Sequence, residues 1–192
     1  MDTIILASKS PRRKEILEMA GIPYVVITAD TDESGAHHLP PEDLVKELAK
    51  RKLSDVRRLC PEDHRLILAA DTVVAHRGVV FGKPKNEEDA ARMLAALSGS
   101  VHTVYTGIAM EQGGLLVSDV AATDVYMRKL TPHEIDAYIK TGEPMDKAGA
   151  YGIQEKGGIF VRQITGDFYN VVGLPLHLVC LHLFRDFGIS VL

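Results

Sequence analysis

Cysteine is scarce in this chain of 192 residues, and the two present, Cys60 and Cys180, stand far apart and outside any CxxC pattern. That excludes a disulfide framework and a zinc-ribbon module, and it suits a reducing compartment. Positive charge is in short supply as well. A formal net charge of -4 excludes a polyanion binder that works by bulk charge, and with aromatic residues at only 6% it disfavours nucleic acid as a partner. Any phosphate chemistry is therefore expected in a local pocket. No apolar run reaches membrane-spanning length, and the apolar stretch after Met1, Asp2 and Thr3 is too short for a signal-peptide core, so a cytoplasmic location is expected. No GxxxxGK[ST] loop occurs, which excludes a Walker nucleotide cradle. Repeats, low-complexity tracts and long linkers are also missing. What remains is 46% hydrophobic and 25% charged, enough for a substantial core in one α/β unit or two small lobes.

Periodicity fills in the elements. Ile4 to Leu6 reads as a strand, and the recurrence of Ile16, Leu17 and Ala20 before Gly21 as a helix. Tyr24 to Thr28 follows as a strand, then Pro41 to Leu59 as a helix burying Leu44, Val45, Leu48 and Leu53. Leu66 to Ala75 is a near-continuous apolar strand, and an Arg77-Gly78 turn into Val79 to Phe81 predicts a hairpin. A helix over Asn86 to Leu97 precedes two long strands, Val101 to Met110 and Leu115 to Met127, joined at Gly113-Gly114. Thr131-Pro132-His133-Glu134 is a capping box that starts a helix to about Lys140. The last helix runs from Leu176 to Phe187 and stops at Gly188.

Chemistry concentrates in a few places. Ser8-Lys9-Ser10-Pro11-Arg12-Arg13 sets hydroxyls and two guanidinium groups near the positive end of a helix, where anions collect; an ordinary N-cap with solvated basic residues is the plainer alternative. Asp71 interrupts an apolar strand. A buried carboxylate is costly unless it meets a cation, a metal or a reacting water, which favours a functional role. Asp32 and Glu33 offer hard oxygen ligands of the kind Mg²⁺ or Mn²⁺ prefers, though as an isolated pair they read as a solvated turn. Gly82-Lys83-Pro84 and the stretch Gly142 to Gln154 carry lysines that, read singly, are surface residues, while Gly166 to Asn170 is expected to shape a cleft wall. His177, Cys180 and His182 do not align on one helix face and are read as packing residues, and His37 and His38 as solvated.

Taken in order, these segments resemble the Maf family of nucleotide pyrophosphatases, itself similar to the inosine triphosphate pyrophosphatases. The resemblance rests on Leu6 to Arg13, Asp32-Glu33, Leu48-Ala49-Lys50-Arg51-Lys52 and Ala70-Asp71-Thr72-Val73-Val74. It continues through Gly82-Lys83-Pro84, Ser98-Gly99 with His102 and Thr106-Gly107, Asp146 to Gln154 and Asn170 to Pro175. It implies an α/β fold over residues 1–192, a mixed twisted sheet flanked by helices with a deep cleft between two lobes. It also implies hydrolysis of dTTP and UTP, or of modified pyrimidine nucleotides, to the monophosphate and pyrophosphate with a divalent metal cation, Mg²⁺ or Mn²⁺.

By position Asp71 matches the proton acceptor, and Arg12, Thr72 and Gln154 match the positions that set pyrimidine specificity. Ser8, Arg13, Lys52 and Lys83 match phosphate-binding groups, and Glu33 a metal ligand. Glu155-Lys156 departs from the pattern, since a small residue usually follows Gln154. The family's history adds a role in preventing incorporation of modified nucleotides and in cell division arrest, and a homodimer is the base-rate oligomer. Two rival readings stand beside this one: another phosphoryl-transfer enzyme, which would release orthophosphate, and a non-catalytic binding module.

Overall fold

The computed structural model describes residues 2–36 and 38–192; His38 is exposed, and the expectation for His37 lies outside the described residues. The chain divides into two compact units, one made of Met1–Asp71, Thr106–Ala121 and Gly173–Leu192, the other of Thr72–Tyr105 and Ala122–Val172.

In the first unit β1 (Ile4–Leu6) lies between β2 (Tyr24–Val26) and the start of β3 (Ile67–His76), parallel to both, with Ile4 opposite Tyr24 and Ile5 opposite Ile67. Parallel neighbours need crossovers, supplied by α1 (Pro11–Met19) and α2 (Pro41–Leu59). All three residues of β1 are buried, as a strand covered on both faces requires. α2 begins with Pro41, carries Glu42 and Asp43 in its first turn and ends on Arg57 and Arg58, so both ends complement the helix dipole. Its expected apolar side, Leu44, Val45, Leu48 and Leu53, is buried. Strands β5 (Val101–Gln112) and β6 (Leu115–Met127) meet at Gly113-Gly114 as expected, and the last helix, α6, spans Leu176–Arg185. One close approach fixes α2. A Cβ on Gly107 of β5 would stand 2.4 Å from the Val45 carbonyl carbon, so only glycine lets helix backbone press this near strand backbone.

In the second unit β3 turns back into β4 (Val79–Phe81), with Arg77 and Gly78 both at positive φ and Val74 opposite Phe81. That is the turn type whose twist matches paired strands. α3 (Glu87–Leu97) is capped by Asn86, whose side chain accepts from the Asp89 amide at 2.8 Å, and α4 (Pro132–Ile139) opens with the full Thr131/Glu134 capping box. Phe81, Leu94, Val104, Val125, Tyr138 and Phe160 lie at the centre of the core. Periodicity missed β7 (Val161–Thr165), antiparallel to β6, the short α5 (Phe168–Val172), and three 3-10 turns at 143–146, 148–150 and 156–160. These pieces are too short to repeat a pattern. Hydrogen bonding orders the strands β2-β1-β3-β5-β6-β7, with β4 on β3.

Candidate functional site

The turn after β1 leads into α1 through Ser10, whose own side chain makes no cap, and Pro11, which has no amide hydrogen. Arg13, one turn into the helix, is buried and donates from Nη1 to Ser8 Oγ at 2.9 Å and from Nε to the Gly173 carbonyl at 2.7 Å. Ser8 Oγ also lies 3.3 Å from the Ser10 amide, so this hydroxyl accepts and keeps its own proton to donate. Burial draws the Arg13 pKa below its ordinary value; the charge of Asp71 opposes this, Arg12 reinforces it and Glu33 opposes it. Guanidinium remains charged through such a shift. The two acidic residues thus act electrostatically on this arginine of α1.

Asp71, on β3, is 9% exposed, as its place in an apolar run predicted. Its Oδ1 accepts from Lys52 Nζ of α2 at 2.5 Å, and the same ammonium stands 2.8 Å from Glu33 Oε1. Glu33 itself lies in an exposed loop, yet it is engaged rather than merely solvated. Ser8, Arg13, Lys52, Glu33 and Asp71 therefore come together within the first unit, with Arg12 half-buried beside Arg13. Two carboxylates converging on one cation are a donor set that fits Mg²⁺ or Mn²⁺, ions that complete their shell with water and phosphate oxygens. Among the described residues no group of three or more His, Cys, Asp or Glu side chains is arranged to hold a metal.

Thr72, Lys83 and Gln154 belong to the second unit. Thr72 is half-buried on β3; Lys83 is exposed after Gly82, whose carbonyl accepts from the Gly149 amide at 3.1 Å. Gln154 is exposed on a loop fastened at both ends. The Tyr138 hydroxyl accepts from the Gly152 amide at 3.2 Å and donates to Glu143 Oε1 at 2.7 Å. Glu143 in turn accepts from the amides of Lys156 at 3.2 Å and Gly157 at 2.9 Å.

Lys147 corrects the surface reading of this stretch. It is 6% exposed, and its ammonium meets the Glu143 carbonyl and Asp146 Oδ1, both at 2.8 Å, and Glu155 Oε1 at 3.2 Å. Its stem occupies the space a Cβ on Gly152 would need, with Cε only 2.5 Å away. The atypical Glu155 thus has a definite partner. No periodicity reveals such a lysine, because its partners are loop atoms; the glycines around it were the available hint.

His182 is held between two carboxylates, Asp186 at 2.6 Å from Nδ1 and Asp119 at 3.0 Å from Nε2. Both ring nitrogens are thereby engaged with carboxylates that tie α6 to β6.

Residues 3–185 match the family described as Maf-like protein. Proteins named dTTP/UTP pyrophosphatase from Bacillus cereus and Alkaliphilus metalliredigens are each 47% identical to the chain, over 191 and 194 residues. Both alignments cover 100% of this chain, with 98% and 100% of those proteins. Among solved structures, the Staphylococcus aureus Ham1 protein is similar at 14% identity and a TM-score of 0.45, covering 66% of this chain and 72% of that one. A Vibrio cholerae protein is similar at 10% identity and a TM-score of 0.46, covering 99% of each chain.

Proposed function

The chain belongs to the Maf family, and on that footing we propose that it hydrolyses dTTP and UTP to the monophosphate and pyrophosphate. The observation that carries the reading is the Lys52 ammonium shared by Asp71 and Glu33 beside a buried Arg13. Full-length identity to enzymes of that name supplies the substrates.

A triphosphate carries up to about four negative charges, and positioning plus neutralisation supply most of the catalysis of phosphoryl-group chemistry. Arg13, Lys52 and Lys83 offer positive charge, and Ser8 offers a hydroxyl proton. When polyphosphate oxygens draw the Lys52 ammonium, Asp71 is left to orient a water molecule and accept its proton. The water oxygen bonds to the α phosphorus, the bond from that phosphorus to the α–β bridging oxygen breaks, and pyrophosphate leaves. Glu33 and Asp71 would hold the divalent cation, which when bound neutralises charge on the phosphates. Arg12, Thr72 and Gln154 take the specificity roles; a primary amide such as Gln154 presents both donor and acceptor to a uracil or thymine edge.

A panel of normal and modified nucleoside triphosphates, assayed with Mg²⁺ or Mn²⁺, tests the reading. Pyrophosphate and monophosphate as products, with dTTP and UTP preferred, are expected; orthophosphate release would replace it with the rival phosphoryl-transfer class. Modified pyrimidine nucleotides and division arrest belong to the same proposal, read by rates in that panel and by cell morphology on overexpression. A homodimer in the cytoplasm is proposed with it, read by light scattering and cell fractionation. Among the described residues no helix is long and apolar enough to cross a membrane.

A further inference from the structure

Glu33 stands in a loop with little to hold it. Asp32, Glu33, Ser34 and Gly35 are all exposed, Gly35 turns through φ 76, and the local Asp32 Oδ1 to Ser34 amide bond of 2.8 Å shapes the turn without fastening it to anything. The fastening comes from Arg51, the residue before Lys52 on α2. Its Nη1 donates to the carbonyl oxygens of Ser34 at 2.8 Å and Asp32 at 3.3 Å, the two residues that flank Glu33. Its Nε is braced by Glu47 Oε1 at 2.9 Å, one helical turn earlier. Consecutive residues of one helix therefore grip the same loop in two ways, Lys52 by the Glu33 carboxylate and Arg51 by the backbone on either side of it. A guanidinium fork reaches two carbonyls and a carboxylate at once; an ammonium at the end of a flexible stem does so less rigidly.

We propose that Arg51 is a positioning residue for the cation site: by clamping the carbonyls around Glu33 it keeps that carboxylate beside Asp71 and so sets the affinity for the divalent ion. The inference rests on the reading of Glu33 and Asp71 as the cation's ligands.

The test is Mn²⁺ titration of the full chain without nucleotide, followed by electron paramagnetic resonance, for wild type, Arg51→Ala, Arg51→Lys and Glu33→Gln. Amide exchange over residues 32–36 is measured alongside. Groups that orient a metal ligand are worth about 10- to 100-fold in metal affinity. Arg51→Ala is accordingly expected to weaken Mn²⁺ binding about 10-fold and to speed exchange of the loop amides, with Arg51→Lys intermediate. In turnover, the Mn²⁺ concentration for half-maximal rate should rise while kcat at saturating Mn²⁺ is kept, a split that general destabilisation would not give. Wild-type Mn²⁺ affinity in Arg51→Ala overturns the inference, whether or not the loop loosens. Mn²⁺ binding unmoved by Glu33→Gln removes its premise, and dTTP hydrolysis measured in the same preparations then shows whether the wider functional reading survives.

Discussion

At Asp71 a carboxylate stands 9% exposed among Ala69, Ala70 and Val73, and its burial is tolerated because Lys52 approaches to 2.5 Å. Asp71→Asn keeps an oxygen for that ammonium and loses the carboxylate proposed as the proton acceptor. Pyrophosphate release is expected to fall by about 10²- to 10⁴-fold, while the urea unfolding midpoint changes little. Lys52→Met should do the reverse to the fold, leaving the carboxylate without its cation at a cost of about 1–3 kcal/mol in the same unfolding measurement. Gln154→Ala is expected to flatten the preference for dTTP and UTP across the nucleotide panel without moving that midpoint, since the side chain is exposed. Asp71 was legible because it breaks an apolar run. Lys52 was not separable from Lys50 and Arg51 by any local rule and was singled out through the family resemblance alone; Glu33 offered a hard oxygen ligand but read singly as a solvated turn. The reason is physical: ion pairs between residues 19 positions apart leave no trace in local periodicity.

Elements that repeat a pattern were readable to within a residue or two. α2 matched at both ends because proline, early acids and late bases mark them. The loops were not, since their order comes from single contacts such as Tyr138 with Gly152. Gly107→Ala is expected to cost about 1–3 kcal/mol by forcing α2 away from β5, and to lower turnover because α2 carries Lys52; chemical denaturation and pyrophosphate release check the two effects. A second joint lies between β5 and the turn at 148–150. His102 is buried with Nε2 2.8 Å from the Tyr151 hydroxyl, and its Nδ1 has no hydrogen-bond partner among the described residues. Burial lowers the His102 pKa from 6.5 to about 4, helped by His76 and opposed by Asp124. The unfolded chain therefore takes up this proton first as the solution is acidified. Stability from this group is full above pH 6.5 and is lost as the pH falls through 4, by roughly 3 kcal/mol in all. His102→Gln, which cannot titrate, should show a flatter unfolding midpoint between pH 7 and pH 4.

For the molecule as a whole, the division into units could not have been read from a linker. Three of its four boundaries, at 71/72, 105/106 and 121/122, fall inside β3, β5 and β6, and the fourth, at 172/173, falls directly at the end of α5. Neither unit is a continuous stretch of chain, so residues 1–71 expressed alone are expected to remain unfolded by circular dichroism. A dTTP analogue with a methylene bridge between the α and β phosphates, given with Mg²⁺ at about 100 times its Kd, should stabilise the fold by about 2.7 kcal/mol. At this chain length that corresponds to a rise in Tm of roughly 5–10 °C in a calorimetric scan. The ammonium between Glu33 and Asp71 carries a last consequence, for the ionic conditions in which the protein works. It is a built-in counter-ion of single charge, so sodium and potassium bring nothing to the two carboxylates that is not already there. With Glu33 and Asp71 as the proposed cation ligands, only an ion of higher valence gains by displacing it, and the side chain would then sieve dissolved cations by charge before size or geometry enters.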